Sequence, residues 1–131
     1  VTLISTGLFT NAWSAEKVQT LTFAWDYTPA AGQVAVTIWE MHWSVTEGGP
    51  YTKLADIPNS GNLQAPITAT VTGQPGTSET RYFVLKACGD APKEGGGTEY
   101  LCSVPSNETS YAFWIDVTGF SAPVQFRILP Q

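Results

Sequence analysis

The sequence predicts an all-β protein, an antiparallel β-sandwich, and three observations carry the prediction. Hydrophobicity alternates with a period of two over several stretches, first of all Gln19–Asp26 and Val34–Val45. Proline- and glycine-containing turn signals separate these stretches. No stretch shows a helical period, a heptad or an internal repeat. Composition agrees: 43% of the residues are hydrophobic and only 13% charged, against about a quarter charged in an ordinary domain. Thr, Val, Ser and aromatic residues fill the difference, and these suit a pleated, half-buried surface. At 131 residues the chain is one domain, long enough to bury a core.

Taken in order, residues 1–13 (VTLISTGLFTNAW) are apolar and uncharged, with Gly7 as a break, and read as short strand material. Ser14 to Lys17 is a polar turn. Gln19–Asp26 places Leu21, Phe23 and Trp25 on one face of a strand. Thr28–Gln33 is a loop. Val34–Val45 is a long strand with Trp39, Met41 and Trp43 on one face and Ile38, Glu40, His42 and Ser44 on the other. The turn Glu47-Gly48-Gly49-Pro50 leads into a strand over Tyr51–Ile57. Pro58–Pro66 is a loop, Ile67–Thr72 a β-branched strand, and Gly73–Thr77 a turn around Pro75-Gly76.

The next strand, Arg81–Ala87, turns Phe83, Leu85 and Ala87 one way and Tyr82, Val84 and Lys86 the other. A polar loop, Gly89–Thr98, separates it from extended residues Glu99–Val104. Thr109–Asp116 is a return strand with Tyr111, Phe113 and Ile115 opposite Ala112 and Trp114. Gly119–Pro123 is a linker, and Val124–Leu129 (VQFRIL) a last strand, ended by Pro130.

The chain's two cysteines, Cys88 and Cys102, stand at the two ends of the Gly89–Thr98 hairpin. Both fall where neighbouring strands meet, which predicts a disulfide across the hairpin neck. The alternative is a pair of buried, unlinked thiols. A disulfide implies an oxidising compartment. The expected localisation is therefore extracellular or cell-surface, with a leader removed before Val1, or a virion.

Several function classes are excluded. The net charge is −5, and the six Lys and Arg are scattered singly. Nucleic acid and anionic membrane surfaces both require clustered cations. No apolar run approaches the roughly 20 residues of a membrane span. The sole histidine, His42, alternates with the apolar face of its strand, so a structural role is expected and no hydrolytic triad. The glycine triplet Gly95–Gly97 tips a hairpin and is no phosphate cradle. Asp90, Glu94 and Glu99 surround the same loop as a solvated acidic cluster; calcium ligation is the weaker reading. The acids show no spacing that pairs carboxylates across a cleft. The chain is expected to be no enzyme, with no cofactor and no metal. Asn107-Glu108-Thr109 is an N-glycosylation acceptor pattern at Asn107.

Four segments together resemble fibronectin type III domains of the bacterial and viral kind. LTFAWD (21–26) resembles the second strand, with its inward Trp at Trp25. WEMHWSVTEGGPYTKLA (39–55) resembles the third strand, a Gly-Gly turn and the fourth strand. PGTSETRYFVLKA (75–87) resembles the turn and sixth strand, and SVPSNETS (103–110) the entry to the last. The resemblance implies an immunoglobulin-like, fibronectin type III-like antiparallel sandwich over residues 15–116. Additional strand segments flank it at 1–14 and, after a linker, within 117–131. In the family a Tyr usually pins the turn before the sixth strand; here that position is Arg81, so the corner must be held otherwise. The cysteine pair is not a family fixture. Some family members bind receptors through Arg-Gly-Asp in the hairpin loop, but Cys88-Gly89-Asp90 lacks the arginine.

The fold is a general scaffold, so function must come from surfaces. Tyr82, Val84 and Trp114 fall on faces that a lone sandwich leaves wet, and Trp13, Phe126 and Ile128 lie in apolar terminal segments. These six are the expected partner contacts. The ends either pair with the domain's own sheets, insert into a neighbouring copy, or are stubs of a longer protein. The leading expectation is a non-enzymatic structural subunit of an extracellular filament or surface appendage, whose partner is a copy of itself. One alternative is a virion or phage tail accessory protein. Another is an adhesive or carbohydrate-associated module using Trp13, Trp114 or the Gly89–Thr98 loop.

Overall fold

A computed structural model describes residues 14–117 and 122–130. Those residues form an all-β sandwich of two antiparallel sheets. Seven strands follow in order: β1 (Ala15–Ala24), β2 (Ile38–Ser44), β3 (Thr52–Pro58), β4 (Gln64–Gly73), β5 (Ser78–Pro92), β6 (Thr98–Cys102) and β7 (Thr109–Trp114). β1 pairs with β4 in the smaller sheet. The larger sheet runs β3-β2-β5, and β5 is long enough to hold two partners on its far side. Its first half pairs with β7 (Ser78↔Trp114 to Phe83↔Thr109) and its second half with β6 (Cys88↔Cys102 to Pro92↔Thr98).

The period-two pattern becomes the core. Met41, Phe83, Phe113 and Ile115 from the larger sheet meet Ile67, Ala69 and Val71 from β4. Leu21 and Phe23 of β1 pack against this cluster but are only partly buried. At one end, Trp39 stacks at an angle on Trp25 and edge-on against Tyr27, with centroids 5.4 and 5.0 Å apart. Thr20 and Thr68 face one another outside the smaller sheet and share a 2.8 Å hydroxyl hydrogen bond, the usual way for threonines to pair across strands.

The corner before β5 is held without a tyrosine. Gly76, at a φ of 81° that favours glycine, donates its N–H to the Ile115 carbonyl at 2.8 Å, and Ile115 returns one to Thr77 at 2.9 Å. The Arg81 guanidinium instead lies 5.7 Å from the centre of the Trp43 ring, a cation–π distance.

Several boundaries differ from the sequence reading. β5 runs on to Pro92 and β6 starts at Thr98 and ends at Cys102, so most of the expected Gly89–Thr98 loop is ladder and only residues 93–97 form the tip. The polar Ser14–Lys17 segment mostly belongs to β1, because β4 continues to Gly73 and pairs with Ala15. β4 in turn begins at Gln64, inside the expected loop. Residues 34–37 are not strand: this segment crosses β5 so closely that a Cβ on Gly89 would stand 2.3 Å from the Ala35 carbonyl oxygen. The expected last strand over Val124–Leu129 does not form; residues 122–130 carry no ladder, and Gln125 sits at φ 55°. The strand expected within 1–13, and Trp13 with it, lies outside the described residues.

Candidate functional site

Cys88 and Cys102 stand directly opposite one another in the β5–β6 ladder, with Cα atoms 4.1 Å apart, and form a disulfide. The bridge lies on the outer face of the larger sheet, the face of Ile38, Glu40 and His42. Alternation placed Glu40 on this side but gave no sign of its burial: it is 8% exposed. Three neighbours compensate the buried charge. His42 Nε2 lies 2.8 Å from one carboxylate oxygen, the Tyr100 hydroxyl donates to the other at 2.8 Å, and Lys53 Nζ stands 4.0 Å away. Tyr100 comes from the β6 arm of the hairpin, so the disulfide that fixes this arm also fixes the lid over Glu40.

Burial pushes the Glu40 pKa up, but the bonds from His42 and Tyr100 and the charge of Lys53 outweigh it. The carboxyl titrates below its ordinary value of 4.5. The Tyr100 hydroxyl, desolvated and tied to that carboxylate, is pushed up to about 12. A carboxyl with a lowered folded pKa contributes stability that is present above its unfolded value and lost as the pH falls through the folded one. The stability difference between the wild type and Glu40→Gln should therefore shrink as the pH drops below 4.5. Urea denaturation at a series of pH values checks this; a constant difference would contradict it.

Glu40 also lies within 4.8 Å of both cysteine sulfurs. With the sulfurs bonded to one another, this grouping offers no thiolate for a metal. It is the one His, Cys, Asp and Glu grouping of that closeness among the described residues, so Asp90, Glu94 and Glu99 are not brought together.

Between β6 and β7 the segment Ser103–Glu108 replaces strand with side-chain bonds. Ser103 and Ser106 each donate a backbone N–H to β5, to Ala87 and Leu85 carbonyls at 2.8 Å. Their hydroxyls accept the N–H groups of Ala87 and Leu85 in return, at 3.0 and 2.9 Å. Glu108 then reaches back to the β2–β3 turn, accepting the Gly48 N–H at 2.8 Å and the Tyr51 hydroxyl with the same oxygen. Gly48 and Gly49 hold φ values of 83° and 94°, which explains the Gly-Gly pair. Neighbouring Asn107 is exposed.

The expected contact residues that are described differ widely in exposure. Val84 was expected on a wet face, but it is 3% exposed. Its ladder partner is His42, which is bonded to the buried Glu40 on the same face. Tyr82 is half-buried. Trp114, at 50% exposure, projects from the outer face of β7. Phe126 and Ile128 are 96% and 93% exposed, beside an equally open Val124.

Alternation along the chain gave no sign of a cleft of about 710 Å³ between the sheets. Leu21 and Phe23 of β1 and Trp25 just after it line one wall and Leu85, Thr109 and Tyr111 the other, with the exposed Asn107 also in the lining. Among the described residues there is no helix long and apolar enough to cross a membrane. Comparison of the chain with known protein families, with curated protein sequences and with solved structures finds no match in any of the three.

Proposed function

We propose that the chain is a secreted, non-enzymatic structural module that assembles with copies of itself into an extracellular filament or appendage. The observation that carries this reading is the segment 122–130. Val124, Phe126 and Ile128 alternate as strand residues do, yet all three are more than four-fifths exposed. Apolar surface of this kind is stabilised by burial, at about 25 cal/mol per Å², and an unpaired apolar strand is a template for pairing. Only Arg127 interrupts the run.

Two further features support the reading. The formed disulfide fits an oxidising compartment. The strand grouping fits a fibronectin type III-like module: β2, β5 and β7, matched to its third, sixth and last strands, share one sheet, and β1 lies in the other.

Size-exclusion chromatography with negative-stain microscopy tests this reading. The wild type should associate with rising concentration, and Phe126→Asp/Ile128→Asp should remain monomeric, since an unpaired charge cannot enter an apolar contact without large cost. A wild type that stays monomeric at high concentration contradicts the reading. The half-exposed Trp114 favours the adhesive alternative, in which Trp114→Ala abolishes binding to a polysaccharide and leaves association unchanged.

A further inference from the structure

We propose, resting on the self-assembly reading, that the cleft between the two sheets is the acceptor for residues 122–130 of a neighbouring copy. The cleft is a seam with two free strand edges. β1 has one ladder partner, β4, and β7 has one, β5, so among the described residues the other edge of each is unpaired. The two edges run side by side and are bridged at one end only. There Lys17 Nζ meets Asp116 Oδ2 at 2.8 Å, and the Gln19 amide donates to the Tyr111 hydroxyl at 2.6 Å. Beyond Gln19, no hydrogen bond joins β1 to β7 among the described residues, and the seam opens into the cleft of about 710 Å³.

Burial shows what the cleft lacks. Ile67, Ala69 and Val71 on the inner face of β4 are fully buried. Leu21 and Phe23, on the inner face of β1, and Trp25 just after it are only half-buried, because the cleft exposes their flank. One more extended segment with apolar side chains would cover them and supply ladder bonds to a free edge.

The chain carries such a segment. In an extended conformation Val124, Phe126 and Ile128 point one way, into the seam, and Gln125 and Arg127 point to water. Val124–Leu129 and the cleft-lining run Leu21–Asp26, which is the open end of β1 and the two residues after it, are equal in length, about 20 Å when extended. Within its own chain the segment carries no ladder and Val124, Phe126 and Ile128 stand exposed outside the cleft, so it is available to a neighbour's cleft. A donor at one site with an acceptor at another gives a head-to-tail, open-ended assembly.

The test uses two variants of the full chain, made in a host that adds no glycan. Phe126→Asp/Ile128→Asp removes the donor. Thr109→Asp places a short charge on the cleft wall at an exposed position, on the side of β7 that carries Tyr111 and Phe113. Each variant alone should be monomeric, its association weakened by at least about tenfold. An equal mixture should form a dimer and nothing larger, because one intact donor and one intact acceptor remain. Dimer formation also shows that both variants are folded.

If Thr109→Asp associates as the wild type does, or the mixture stays monomeric, the cleft is not the acceptor, while an assembling wild type keeps the functional reading intact. A wild type that never associates overturns both. If Thr109→Asp then also lowers its melting temperature, the cleft wall belongs to the chain's own packing.

Discussion

Replacing Phe113 with alanine should lower stability by about 3–5 kcal/mol. Phe113 is 0% exposed and is one of the largest fully buried side chains among the described residues. It stands where the two sheets meet, with ring centroids 6.5 Å from Phe83 and 5.0 Å from Tyr111, the latter edge-on. Truncation removes the transfer free energy of the ring and leaves a cavity that the backbone cannot close, because β7 is tied to β5 along its length. The edge-on contact adds about 0.5–1.5 kcal/mol beyond buried area. Urea denaturation should show a lower midpoint at an unchanged slope. A loss below about 1 kcal/mol, the ordinary cost of a point mutation, would mean that the core does not close around this residue.

Removing the disulfide, by Cys88→Ser/Cys102→Ser, should cost about 3 kcal/mol in the chain-entropy account. The ring it closes has a sequence separation of 14, and the gain comes from restricting the unfolded chain. The denaturation slope should therefore rise as the midpoint falls, since the unfolded state becomes less compact. A second consequence is local. Without the bridge, the Tyr100 hydroxyl is held over Glu40 only by the β6 ladder, so the protection of the hairpin amides should fall more than that of β1 and β4. Denaturation together with amide exchange of the two forms checks both effects. An unchanged midpoint would show that the β5–β6 hairpin is fixed by other contacts.

The alternating stretches were legible because each has one face in a core. Leu21 and Phe23, Trp39 and Met41, Phe83 and Leu85 are all placed on the expected sides. The cysteine pair was legible because two strands must meet at a hairpin neck. Periodicity could not say what covers the opposite face. Val84 and Glu40 lie on the side that alternation gives them, yet both are buried; for Glu40 the cover is Tyr100, which reaches it from a hairpin arm about sixty residues away in sequence. Nor does a strand-like pattern make a strand. Val34–Thr37 has the composition, but its path over Gly89 is dictated by the chain beneath it. Val124–Leu129 has the pattern and no ladder partner among the described residues, and an extended segment without a ladder has little stability of its own. The cleft was invisible for a related reason: it arises from what two strand edges leave unpaired, and no single segment encodes that.

The glycine turns show the opposite case, in which local sequence decides. Gly48 and Gly49 adopt conformations that other residues avoid, and Glu108 fastens the turn they form. The acceptor pattern at Asn107 and the cleft rim share one exposed stretch, so a glycan there and a docked strand would compete for the same space.

The proposed assembly turns residues 122–130 into a strand of a neighbouring molecule. Hydrogen–deuterium exchange read by mass spectrometry, on the assembled wild type beside the monomeric Phe126→Asp/Ile128→Asp variant, tests it most directly. Residues 122–130 and 21–26 should be strongly protected in the assembled chain, and 122–130 should exchange fast in the variant. Assembled chains in which 122–130 still exchange as fast as an unstructured peptide would contradict it.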